Sequence, residues 1–119
     1  MRSVRVVNAR MGAELGDRVR VADTWWARLR GQLGRPAPAR GEGLVLSPCR
    51  SVHMYGMPYP LDVAFLDREG RVVASYRPLA PGRRSRWHRA AACAVELPAG
   101  TLDATGTANG DPIVLEGSV

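Results

Sequence analysis

A chain of 119 residues with 45% hydrophobic and 24% charged residues has the size and make-up of one globular domain, residues 1–119, and is too apolar for disorder. All 17 basic residues are arginine and the formal net charge is +6, so the summed field favours anionic partners. The longest uncharged apolar run, residues 90–95, is far short of the roughly 20 residues a spanning helix needs, which excludes a membrane-spanning helix.

The opening alternates apolar and polar residues at Val4, Arg5 and Val6, and again over "RVRVA" at 18–22, which predicts two half-buried strands. No signal-peptide core is visible in the first fifteen residues, so a cytoplasmic location is the expectation. The best helix signal follows, about residues 24–33. Asp23 or Thr24 can cap it. Trp26, Leu29 and Leu33 form one apolar stripe with Trp25 beside them, Gly34 suits the C-terminal position, and Pro36 and Pro38 forbid continuation. The stripe predicts a helix laid on a sheet with two tryptophan anchors. The alternative is that Trp25 and Trp26 form a ligand-stacking platform.

From residue 43 the signals are mostly strands: "GLVLS", "LDVAFLD", "RVVASYRPL", "RWHRAAACAVELPAG", whose alanines at 90, 91, 92 and 94 leave a helix open, and "PIVLE". The second is apolar on both faces and so is expected to be covered on both. "DREG" predicts a hairpin turn and "NGD" at 109–111 a tight turn. The expected fold class is α+β: mostly antiparallel strands curled into a small barrel or sandwich with the one short helix packed on it.

Chemistry concentrates in "SPCRSVHMYGMPYPLD", residues 47–62. Gly56, Pro58 and Pro60 oppose a helix there, so the segment is expected to be extended. Cys49, Ser51 and His53 then project to one side, Val52 and Met54 to the other. Asp62 is a carboxylate in an apolar strand, costly unless paired, and Ser51 and His53 are its natural partners. Cys49, Ser51, His53, Tyr55, Met57 and Asp62 are the candidate ligand-binding residues.

Several readings compete. The first is a non-enzymatic ligand-binding or accessory module with a His/Asp/Met pocket. The second is a hydrolase-like or metal-assisted enzyme in which Asp62 orients His53 as base or ligand. No metal site is expected, although Cys49, His53 and Met57 make a soft donor set of the kind that suits Cu(I). A Cys49–His53 nucleophile pair would be about 13 Å apart on one extended strand, too far for proton transfer. A purely structural network of Ser51, His53 and Asp62 holding the Pro-rich turn also fits. Arg83, Arg84, Arg86 and Arg89 form the densest basic group and are candidates for anion binding. Nucleic acid is not the expected partner, because aromatics are 6% and no reader motif accompanies the arginines. Cys49 and Cys93 are expected to be free thiols.

The stretches "WWARLRGQLGR", "GEGLVLSPCRSVHMYGMPYPLDVAFLDREGRVV" and "AVELPAGTL" with the later "GD" resemble the domain of unknown function 192 family of bacteria and archaea. Cys49, Ser51, His53, Met54, Gly56, Met57 and Asp62 fall on its central pattern, with Arg50 inserted and Met54 standing where many members have threonine. The resemblance implies a compact, strand-rich mixed fold and no particular activity or cofactor. Some members are encoded near secretion or pilus-assembly genes, so the resemblance points to an accessory role; with the residue-based pocket, the expected partner is a small-molecule ligand or a protein of such a system.

Overall fold

The structure is a computed structural model and describes residues 2–117. Seven strands form one sheet. β1 (Ser3–Asn8) and β2 (Ala13–Ala22) make a hairpin turning on Gly12, whose positive φ of 62° suits glycine. A crossover carrying α1 (Trp25–Arg30) brings β3 (Glu42–Leu46) parallel to β2; every other pairing is antiparallel. β4 (Leu61–Leu66) and β5 (Val72–Leu79) form the second hairpin, where Asp67 Oδ1 accepts from the Glu69 and Arg71 N–H groups. β6 (Cys93–Pro98) inserts between β3 and β4, α2 (Thr101–Ala104) follows, and β7 (Ile113–Gly117) pairs with β1. The strand order is β5-β4-β6-β3-β2-β1-β7.

The sheet curls until its two ends meet. Gly110 N–H donates to Val72 O at 2.6 Å, Val72 N–H to Asp111 O at 3.0 Å and Ile113 N–H to Gly70 O at 2.8 Å. Gly70 permits this approach, since a Cβ there would lie 2.8 Å from Ile113 O. Asn8 and Arg10 bind Asp111 beside the seam, holding its carboxyl well below the usual range.

Each face of the curl buries its own core. The inner one includes Val6, Val19, Val45, Val95, Leu97 and Leu102; the outer one includes Leu44, Leu46, Val63, Phe65 and Ala94. Segment 47–57 and loop 80–92 cover the outer face, which is why β4 is apolar on both sides as expected. Within β4, Leu61, Val63 and Phe65 point outward and Ala64 and Leu66 inward, which puts Asp62 on the inner side.

Two expectations need correction. α1 spans six residues, not 24–33; of the two candidate caps Thr24 is the one used, but Gly31 ends the helix at φ 53° before Gly34 is reached. Its apolar stripe does not pack on the sheet. Trp25 is 60% exposed and Trp26 73%, and Leu29 and Leu33 are exposed too; the helix touches the outer core through Ala27. Residues 86–92 are not part of a long strand; residues 83–92 form one irregular loop. It is bound to the segment before it, with Met54 N–H donating to Arg83 O, Ser85 N–H to Val52 O and His88 N–H to Arg50 O. No helix among the described residues is long and apolar enough to cross a membrane.

Candidate functional site

Residues 51–54 are extended and alternate as the sequence predicts, and a turn closed by Met57 N–H on Met54 O follows. Val52 and Met54 are buried in the outer core, while Ser51 and His53 are exposed. The loop opposite fixes this segment, through the backbone bonds above, a bridge between His53 and Arg84, and the Ser85 hydroxyl, which accepts from Val52 N–H at 3.0 Å. The His53 ring stacks on Tyr55 at 4.8 Å, and its Nδ1 accepts from the Tyr55 N–H at 3.3 Å.

His53 and Asp62 do not form the expected pair. Asp62 is fully buried on the inner face, and its Oδ2 accepts from Leu102 N–H at 2.9 Å, holding the start of α2. Burial raises its carboxyl above the usual range, while the N–H groups of Leu102 and Gly100 pull it back. The parity of β4 explains the separation: a residue between the outward Leu61 and Val63 must face inward, away from the segment that carries His53. With it goes the arrangement in which a carboxylate orients a histidine base, and the Ser51–His53–Asp62 network as well. The better-held histidine is His88, whose Nε2 meets the Tyr76 hydroxyl at 2.7 Å; burial lowers its pKa.

The soft-metal set does not assemble either. Met57 is buried in the outer core, Cys49 Sγ donates to Ser51 O at 3.1 Å, and no group of three or more His, Cys, Asp or Glu forms a metal cluster among the described residues. Both cysteines are free. Burial raises the Cys49 thiol and pushes Cys93 up to about 11.

What the fold does assemble is a solvent-open groove of about 1000 Å³ on the outer face. It lies between α1 with the turn after it, segment 48–57, loop 87–92 and the β4–β5 turn. Five of the six candidate ligand residues line it: Cys49, Ser51, His53, Tyr55 and Met57. Asp62 does not. Of the basic group, Arg89 reaches the groove; Arg83, Arg84 and Arg86 are exposed outside it. Its apolar rim carries Trp25, Leu29, Leu33, Tyr55 and Trp87; of the predicted stripe Leu29 and Leu33 face the groove, while Trp26 lies outside it in solvent.

Three polar groups missed in the sequence complete it. Glu96 stands in β6 beside Leu44 of β3 and Val63 of β4, on the face shared with Ala94. It is 4% exposed and lines the groove, its Oε1 has no hydrogen-bond partner among the described residues, and burial pushes its carboxyl up to about 7. Gln32 Nε2 and Arg28 Nε, also on the groove, are buried donors without partners among those residues. A signal for Glu96 was present: a single carboxylate inside "CAVELP", the same kind of anomaly that singles out Asp62.

The comparisons bear on fold and family. A crystal structure of a protein of unknown function from Novosphingobium aromaticivorans is similar, with a TM-score of 0.80 at 20% identity, covering 94% of this chain and 83% of that one. A putative transcription regulator from Sinorhizobium meliloti has a TM-score of 0.78 at 25% identity, covering 96% of this chain and 92% of that one. Among curated protein sequences none matches. The model of DUF192, described as Uncharacterized ACR, matches residues 6–115, and with that span the chain belongs to the domain of unknown function 192 family.

Proposed function

We propose that this chain is a non-catalytic binding module whose ligand sits in the outer-face groove and presents an O–H or N–H donor to Glu96. The observation that carries this reading is the Glu96 carboxyl, buried at the groove floor with Oε1 unpartnered among the described residues. A buried carboxyl without a partner costs stability, and a ligand donor would recover that cost. A large concave site with an apolar lining and a few convergent polar groups is the usual form of a ligand pocket. The chemistry of the thiols agrees with binding rather than catalysis: raised pKa values keep Cys49 and Cys93 protonated near neutral pH, where a thiol is a poor nucleophile.

The test is an NMR screen of the 15N-labelled protein against a fragment set of phenols and aromatic amides. Shift changes should cluster in 25–33, 48–57 and 87–92 and at Glu96. Glu96→Leu keeps an apolar filler and removes the acceptor; it should fold and weaken the fragments at least tenfold. Shifts mapping to another surface, or equal binding by the Leu variant, would contradict the reading.

A further inference from the structure

Resting on that reading, we infer that the ligand is an extended segment of a partner polypeptide, in which an apolar side chain is flanked by acidic residues. Three observations converge. The first is hydrogen-bonding capacity. Glu96 Oε1 needs a donor, and Gln32 Nε2 and Arg28 Nε need acceptors. An extended peptide backbone offers N–H and C=O groups in alternation, so one ligand supplies both kinds of partner.

The second is the apolar surface. The groove floor includes Met54 and Met57, adaptable side chains that accommodate varied apolar groups, and the rim exposes Trp25 and Trp87. Exposed tryptophans beside a groove are the usual anchors of protein recognition. A volume of about 1000 Å³ is at the upper limit for a compact organic ligand and suits several residues of chain.

The third is charge complementarity. Arg28, Arg30, Arg50, Arg68 and Arg89 line the groove, and none makes a salt bridge among the described residues. The guanidinium fork matches a carboxylate with two parallel hydrogen bonds. Asp67 and Glu69 share the β4–β5 turn end of the groove. A peptide can place its few charges away from that end, whereas a polynucleotide carries one on every unit and would also set phosphates over the Glu96 floor. The aliphatic floor likewise fits side chains better than bases.

The experiment is selection of a random dodecapeptide display library on the immobilised full chain. Enriched peptides are then synthesised and their binding is followed by intrinsic fluorescence. The chain has three tryptophans; Trp25 and Trp87 are on the rim, and Trp26 packs edge-on against Trp25 at 4.6 Å. Enriched sequences should carry Leu, Met or an aromatic within two residues of Asp or Glu. Their affinity should fall at least tenfold in Trp87→Ala and in the doubly reversed Arg50→Glu/Arg89→Glu, and also with added salt. These three side chains are exposed, so the variants should melt with the wild type. Absence of enrichment, enrichment of basic peptides, or unchanged affinity for the charge-reversed protein would overturn the inference. So would salt-sensitive binding of a dT20 or A20 oligonucleotide in place of peptides. If the phenol and amide fragments still map to the groove, the binding-module reading survives the loss of the peptide; if they do not, both fail.

Discussion

Glu96 carries the largest electrostatic cost in the outer face. Its strand register puts it beside Val63 and Leu44, under segment 48–57, and no cation among the described residues is paired with it. The carboxyl rises from its usual 4.5 to about 7 because burial penalises the charged form. Below about pH 4.5 it is protonated in both folded and unfolded chains and its ionisation adds no cost. Between 4.5 and 7 the unfolded chain releases its proton first, and stability falls; above 7 the loss is complete, about 3 kcal/mol. Urea unfolding of wild type and Glu96→Gln should therefore diverge as pH rises from 4.5 to 8, with the Gln variant more stable by about that amount at pH 8. Parallel curves across this window would show that the carboxyl is solvated.

At the level of elements, Asp62 belongs to α2 rather than to a site. It anchors the first turn of a four-residue helix through the Leu102 N–H. Asp62→Asn keeps an acceptor oxygen there and should melt near the wild type. Asp62→Leu leaves a buried N–H unpaired and should cost about 1–3 kcal/mol. Neither should change fragment binding in the groove, because Asp62 lies across the sheet from it; a tenfold loss in the Asn variant would put it back in the site.

Much of this level was legible in the sequence. Alternation marked β1 and the second half of β2, short apolar runs between turn residues marked β3 and β5, the two-sided apolar run marked β4, and "DREG" and "NGD" marked turns. The helix was legible in kind and in its Thr24 cap but not in length or facing. An apolar stripe shows that one side differs from the other, not whether a sheet or a groove lies beneath it. Residues 86–92 were read as the start of a strand because their sequence carries no trace of the bonds that tie loop 83–92 to segment 50–54. The His53–Asp62 pair failed for a related reason: when both faces of a strand are covered, apolar character no longer tells which way each residue points.

On the scale of the molecule, curling the sheet creates two cores with different roles. The inner one closes around Leu97 and Leu102 and is sealed by the Gly70–Ile113 seam. The outer one is covered by irregular chain rather than by another regular layer, and the groove forms where that cover stops. Of the cluster that the sequence singled out at 49–62, Cys49, Ser51, His53, Tyr55 and Met57 line the groove and Asp62 does not; small polar residues between prolines stand out in an apolar context. The sequence did not reveal that Glu96, some forty residues later, completes the floor, since only the pairing of β6 between β3 and β4 brings the two together.

The most direct test is a carboxyl 13C NMR titration of Glu96 in the free protein. A midpoint near 7 that shifts when a groove-binding fragment is added would agree with a buried, unpartnered acceptor at a binding site. A midpoint in the ordinary range near 4.5, indifferent to the fragment, would contradict it.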